Sequence, residues 1–290
     1  AWRIDVANMT GIRGEIDLSR EVARIIRRTM AQVAVPFLQA ESNHDASRDL
    51  LGDGYQGTMN YAAFTRPLWQ WLLPPQAQPY THGKYPALPN LPGRMIVRAM
   101  RELSGATPWQ ATLHAMNLIG SHDTHRVAAL LGDPLRTDVA FGMLAAYPGV
   151  PMIYAGDELG LAAMGPEHAR IPMPWAHPER WDTRRLALTR ALFCARASSP
   201  ALQRGGLRWL WVGDDALLFL REAPGESVLV YAARAAHAPI RIPAAVVGTQ
   251  LEGLAGSPHL GAGSDGTVTL AASGPAFGMW RLTDADGSER

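Results

Sequence analysis

AWRIDVANM, residues 1–9, alternates Trp2, Ile4 and Val6 with Arg3 and Asp5, the period of a strand with one apolar and one charged side. Strands that display an arginine beside a carboxylate usually lie inside a protein, so the chain is expected to open within a larger structure. Two further segments end on acid. VAVPFLQAE, residues 33–41, is an apolar run closing on Glu41, with the look of a strand buried on both faces. NLIGSHD, residues 117–123, runs into Asp123.

Helical patterns separate these strands. EIDLSREVARIIRRTMAQV (15–33), FTRPLWQWLL (64–73), RMIVRAMREL (94–103) and DVAFGMLAAY (138–147) read as helices, and ATLHAMNLIGSHD (111–123) as a helix or turn running into a strand. YQGTMNY (55–61) and GVPMIYAGDEL (149–159) read as further strands, and the Pro-rich stretch 74–93 as a loop. Strands regularly separated by helices predict parallel βαβ units. Near residue 200 the pattern changes to short strands joined by Gly, Asp and Pro turns: RWLWVGDDALLFLRE, SVLVYAA, PIRIPA, TVTLAA and FGMWRL. That is the signature of a small antiparallel sandwich. A boundary is expected through SSPALQRGG (198–206), giving domains at 1–200 and 201–290.

Composition narrows the classes of function. With 47% hydrophobic and 18% charged residues, a sizeable core is affordable and wholesale disorder is not expected. A net charge of +1 gives no reason to expect nucleic acid or an anionic membrane as partner. Arg24, Arg27 and Arg28, the densest basic cluster, read as the solvated face of a helix. Cys194 is the only cysteine, which excludes an intrachain disulfide and a thiolate metal site. Its apolar surroundings in LALTRALFCARA predict an inert buried thiol.

The chemistry concentrates at the strand ends. In a barrel of parallel strands the C-terminal ends converge on one face, so Asp5, Glu41 and Asp123 are expected to meet there. Three carboxylates in one place repel unless they bind a metal or divide acid, nucleophile and stabiliser roles among them. Arg3, two residues before Asp5 and on the same side of the strand, is placed to hold and orient that carboxylate, as a nucleophile needs. Glu41 follows a hydrophobic strand, the setting of a general acid. His122 offers a donor to a substrate hydroxyl. These roles match retaining glycoside hydrolysis, in which acid and nucleophile stand about 5–5.5 Å apart.

WRIDVAN, QAESNHDA and NLIGSHDTHR, in that order, resemble three signature strands of the alpha-amylase family of glycoside hydrolases. YQGTMNY, PGVPMIYAGDELGL and RIPMPW resemble segments of its cyclomaltodextrinase, neopullulanase and maltogenic amylase branch. The resemblance implies an α/β fold: the C-terminal portion, about strands four to eight, of a TIM (β/α)8 barrel followed by a small antiparallel β-sandwich. It implies Asp5 as nucleophile, Glu41 as general acid/base and Asp123 as transition-state stabiliser. It further implies Arg3 supporting Asp5, and His122 on the sugar hydroxyls of the subsite being cleaved. AWRIDVANM then matches the fourth barrel strand, and the first three strands are expected to belong to a longer parent enzyme. Met9 departs from the pattern, since the position four after the nucleophile is commonly a His or Glu, and a thioether cannot make their hydrogen bonds.

The implied partner is an alpha-glucan oligosaccharide, cleaved by hydrolysis or, alternatively, passed to an acceptor by transglycosylation. No cofactor is expected, with calcium left open. HDTH (122–125) holds three competent metal ligands, but no other His or Cys is spaced to complete a zinc site. Gly261, Gly263 and Gly266 superficially suggest a phosphate loop, yet they lie between strand patterns and read as a turn. Of the tryptophans at 69, 71, 109, 175, 209 and 211, Trp175 in RIPMPW is the best candidate to stack on a sugar. A non-catalytic carbohydrate-binding relative is the rival reading. Such relatives lose the carboxylates, whereas Arg3, Asp5, Glu41, His122 and Asp123 are all present.

Overall fold

The computed structural model describes residues 1–290 except 36, 75–87, 249, 257–259, 263–265, 271–273 and 284–290. Two compact units are built from interleaved segments. The first comprises Ala1–Leu68, Val97–Leu118 and Gly149–Met152, and the second Trp69–Ile96, Ile119–Pro148 and Ile153–Arg290.

In the first unit, β1 (Trp2–Ile4) leads into a small hairpin, β2 (Ile12–Arg13) and β3 (Ile16–Asp17), and then a helix at Ser19–Gln32. β4 (Leu38–Ala40) pairs in parallel with β1, setting Arg3 opposite Gln39 and Ile4 opposite Ala40. β5 (Gly57–Thr58) pairs in parallel with β4, and Met59 just beyond it bridges to Met116 at the start of β6 (Met116–Leu118). β7 (Val150–Met152) lies parallel to β6. These strands all run one way, so their C-terminal ends share one edge of the unit. β4 is buried throughout, Gln39 included, and Leu38 and Ala40 join Ala7, Ala23, Met30, Leu50 and Tyr55 in one core.

The helix expected over 15–33 begins only at Ser19, because Ile16 and Asp17 belong to the hairpin. The Asp17 carboxylate accepts from the Ser19 backbone N–H at 3.1 Å and from its hydroxyl at 2.6 Å, which fixes the helix start. The strand expected over 149–159 stops at Met152 and gives way to a short turn at Asp157–Leu159, flanked by Gly156 and Gly160 in left-handed conformations.

The second unit holds helices at Pro134–Ala146 and Thr183–Ala197. Asp133 caps the first, accepting from the N–H groups of Leu135 and Arg136 at 2.8 and 3.2 Å, with Pro134 in its first turn. Its far end is closed by two buried arginines. Arg196 donates to the carbonyls of Ala145 and Tyr147, and Arg221 to that of Ala146. Burial lowers both guanidinium groups, Arg196 to about 10 and Arg221 to about 9. Cys194 is exposed, contrary to expectation. The inward side of helix Thr183–Ala197 carries Arg185, Thr189, Leu192, Ala195 and Arg196, and Cys194 falls outside that stripe.

The remaining strands are β8 (Gly206–Val212), β9 (Ala216–Ala223), β10 (Glu226–Ala233), β11 (Ile240–Pro243), β12 (Gln250–Gly256), β13 (Leu260–Ala262), β14 (Thr267–Leu270) and β15 (Ala276–Thr283). They form two antiparallel sheets, β12-β15-β10-β9-β8 and β11-β14-β13. One apolar core joins the sheets, with Leu218, Leu220, Leu229 and Tyr231 from the larger meeting Ile240, Ile242, Val268 and Leu270 from the smaller. β12 was not legible as a strand, since QLEGLAG carries two glycines and little apolar alternation. Most of the Pro-rich loop at 74–93, the end of TVTLAA and Gly263 lie outside the described residues.

Candidate active site

Arg3 and Asp5 sit on β1 and just past its end, and Glu41 directly follows β4. The parallel register brings the two chain ends together: the Glu41 N–H donates to the Ile4 carbonyl at 2.9 Å, and the Ala7 N–H donates to the Glu41 carbonyl at 2.9 Å. One guanidinium then serves both acids. Arg3 Nη1 lies 2.9 Å from Asp5 Oδ1, and Arg3 Nη2 lies 3.2 Å from Glu41 Oε2. Arg3 Nε is aimed at the Met59 sulfur, 3.1 Å away, which fixes the plane of the fork. The acids differ in exposure, the Glu41 side chain being 9% exposed and that of Asp5 74%. Two carboxylates in contrasting surroundings and sharing one cation suit divided acid and nucleophile roles.

The turn after Asp5 is made by Val6, whose φ of 45° and ψ of 44° are left-handed. A β-branched residue there is a genuine outlier and costs about 1–3 kcal/mol. Among the described residues only Ala34 shares the feature without being glycine, and Ala34 lies just past the end of helix Ser19–Gln32, where left-handed residues are common. Val6 donates its N–H to Glu41 Oε2 at 2.7 Å.

In the second unit, residues 121–124 form a tight polar turn. The Ser121 N–H donates to the Thr124 hydroxyl at 2.8 Å and the Asp123 N–H to the Ser121 hydroxyl at 3.1 Å. His122 Nε2 lies 3.2 Å from Asp123 Oδ2, and Arg170 Nη2 lies 3.4 Å from Asp123 Oδ1. Arg170 also donates from Nε to the His122 carbonyl at 3.0 Å, gripping both residues. The sequence reading missed Arg170, although it opens the RIPMPW segment that was singled out; a cation at a loop start carries no periodic signal. Just behind, Arg126 is 1% exposed and Asp157 also 1%, joined at 2.8 Å. Burial pushes the Asp157 carboxyl up to about 7, against the pull of Arg126. Arg126 further donates to the carbonyls of Ala155 and Ala169, tying the turn to the chain that leads into Arg170. Trp175 is 70% exposed and packs edge-on against Trp181.

His125 Nδ1 accepts from the Gly165 N–H at 2.7 Å, which commits it to structure. No group of three His, Cys, Asp or Glu converges as a metal site among the described residues. No helix among them is long and apolar enough to cross a membrane.

The catalytic-domain model of the alpha-amylase family matches residues 81–184. This chain resembles the alpha-amylase family. A cyclomaltodextrinase of Geobacillus thermopakistaniensis is 28% identical over 84% of the chain, and neopullulanase 2 of Thermoactinomyces vulgaris 30% identical over 73%. The chain spans 38% and 32% of the length of those two relatives. Among solved structures, the cyclic alpha-maltosyl-(1→6)-maltose hydrolase of Arthrobacter globiformis superposes with a TM-score of 0.75 at 25% identity. It covers 97% of this chain, which covers 56% of it. The debranching enzyme of Nostoc punctiforme, 23% identical with a TM-score of 0.80, shares the fold. The mixture of helices and strands in this chain is thus of the alpha-amylase type.

Proposed function

We propose that this chain carries the catalytic carboxylates of a retaining glycoside hydrolase that cleaves alpha-glucosidic bonds in maltooligosaccharides, cyclodextrins or related alpha-glucans. The observation that carries the reading is the shared guanidinium: Arg3 holds exposed Asp5 and buried Glu41 at once. In the proposed reaction, Asp5 attacks the anomeric carbon while Glu41 gives its proton to the leaving glycosidic oxygen, whose bond to that carbon breaks. A water then loses a proton to Glu41 and attacks the same carbon, releasing Asp5 and restoring the starting protonation. Asp123 stabilises the positive charge that develops on the sugar, with His122 donating to sugar hydroxyls and Arg170 orienting both. We also propose the fold assignment that goes with this chemistry. The parallel strands β1, β4, β5, β6 and β7 correspond to strands four to eight of a (β/α)8 barrel, with a β-sandwich domain at 201–290. The activity is proposed for the full-length protein, and residues 1–290 alone are expected to be inactive.

The test separates the two acids in the full-length protein. Asp5→Asn is expected to abolish turnover of every substrate. Glu41→Gln is expected to lose activity on maltooligosaccharides by about 10²–10⁴-fold while largely sparing α-maltosyl fluoride, whose leaving group needs no proton. Equal losses on both substrates for both variants would contradict the division of roles.

A further inference from the structure

We propose that Val6 is a positioning residue: its left-handed backbone aims an N–H at Glu41 Oε2 and thereby reserves Oε1 as the atom that carries the catalytic proton. This rests on the role proposed above for Glu41.

Consecutive N–H groups grip Glu41. That of Val6 reaches the side chain at 2.7 Å and that of Ala7 the backbone carbonyl at 2.9 Å. Adjacent N–H groups converge in this way when a left-handed residue is followed by a helical one, an arrangement that makes an anion-binding concavity. Val6 is left-handed and Ala7 opens a short 3-10 turn. The turn is held from its other side as well, since the Val6 carbonyl accepts from the Met9 N–H at 2.9 Å and from the Thr10 hydroxyl at 3.3 Å. No packing need explains a valine in this conformation, because Val6 is 44% exposed. A backbone outlier that is over-determined by hydrogen bonds and adjacent to a reacting group is where strain serves a site.

The consequence is atomic. Glu41 Oε2 accepts from the Val6 N–H at 2.7 Å and lies in ion-pair range of Arg3 Nη2 at 3.2 Å. A proton on that oxygen would point into them. Oε1 has no partner among the described residues, so the transferable proton belongs there. By the same reasoning Asp5 Oδ1, held by Arg3 Nη1 at 2.9 Å, leaves Oδ2 as the attacking atom.

Replacing Val6 in the full-length protein with its α-hydroxy analogue, by nonsense suppression, deletes the N–H as an ester and keeps the side chain. Turnover of maltooligosaccharide is expected to fall about 10–100-fold, the scale of a misplaced catalytic group, with α-maltosyl fluoride hydrolysis changed less than about threefold. Val6→Gly keeps the N–H and relieves the strain. It is expected to raise the melting temperature and leave the ratio of the two rates unchanged. Equal loss on both substrates, or no loss on either, in the ester variant overturns the positioning role. An unchanged or lowered melting temperature in Val6→Gly overturns the strain. Glu41→Gln assayed beside them marks the source of failure: if it does not separate the two substrates, the role of Glu41 itself has failed.

Discussion

Arg3 is the residue on which the candidate site turns. Its guanidinium offers a planar fork, donating from Nη1 to Asp5 and from Nε to the Met59 sulfur while Nη2 lies in ion-pair range of Glu41. A lysine there keeps the charge but presents a single point donor, which can serve one carboxylate and not hold both in register. Arg3→Lys is therefore expected to lower kcat on maltooligosaccharides about 100-fold with KM changed little, because the loss is in alignment rather than in binding. Steady-state kinetics decide it, and a rise in KM at unchanged kcat would assign Arg3 to substrate binding instead.

At the scale of elements, the hairpin and the helix after β1 set how the chain returns to β4. Asp17 at the end of β3 holds this passage together, bonded to Ser19 and reached by Arg48 at 2.6 Å. The Ser19 hydroxyl, the Arg48 guanidinium and the Ser19 N–H hold its carboxyl at about 2, below the ordinary 3.8. A depressed carboxyl stabilises the folded state above its ordinary range, and that stabilisation is lost as pH falls through the folded value. NMR titration of the Asp17 carboxyl is expected to give a midpoint near 2, moving up towards 3.8 in Ser19→Ala. An unmoved midpoint in that variant would remove Ser19 as the leading cause.

The same elements show what the sequence could and could not disclose. The apolar run to Glu41 revealed β4 because burial writes itself into spacing, whereas the alternation of Trp2, Ile4 and Val6 marked β1 although Trp2 is exposed and Val6 falls outside the strand. The hairpin was hidden because Glu15, Ile16 and Asp17 also suit the first turn of a helix. Buried Arg196 and exposed Cys194 were hidden for a tertiary reason. The carbonyls of Ala145 and Tyr147, 51 and 49 residues upstream, give an arginine a reason to be buried that no local pattern contains. Arg170 and Val6 escaped notice similarly, one a loop cation and the other a conformation rather than a residue type.

At the scale of the molecule, β1 pairs with β4 alone and β7 with β6 alone among the described residues. Unpaired strand edges template association, and apolar surface lies beside one of them: Trp2 is 61% exposed, Ile25 53% and Val33 67%. Residues 1–290 expressed by themselves are expected to elute from size-exclusion chromatography as oligomers or aggregates and to leave maltooligosaccharides intact. A monodisperse monomer that cleaves them would show that these residues suffice. The chemistry itself is tested most directly by trapping. The full-length protein is incubated with a 5-fluoro-α-glycosyl fluoride, which forms the glycosyl ester quickly and releases it slowly, and the labelled peptide is sequenced by mass spectrometry. The predicted result is one glycosyl adduct per chain, on the carboxylate of Asp5 and absent from Asp5→Asn; an adduct on a different residue, or full activity in Asp5→Asn, would contradict it.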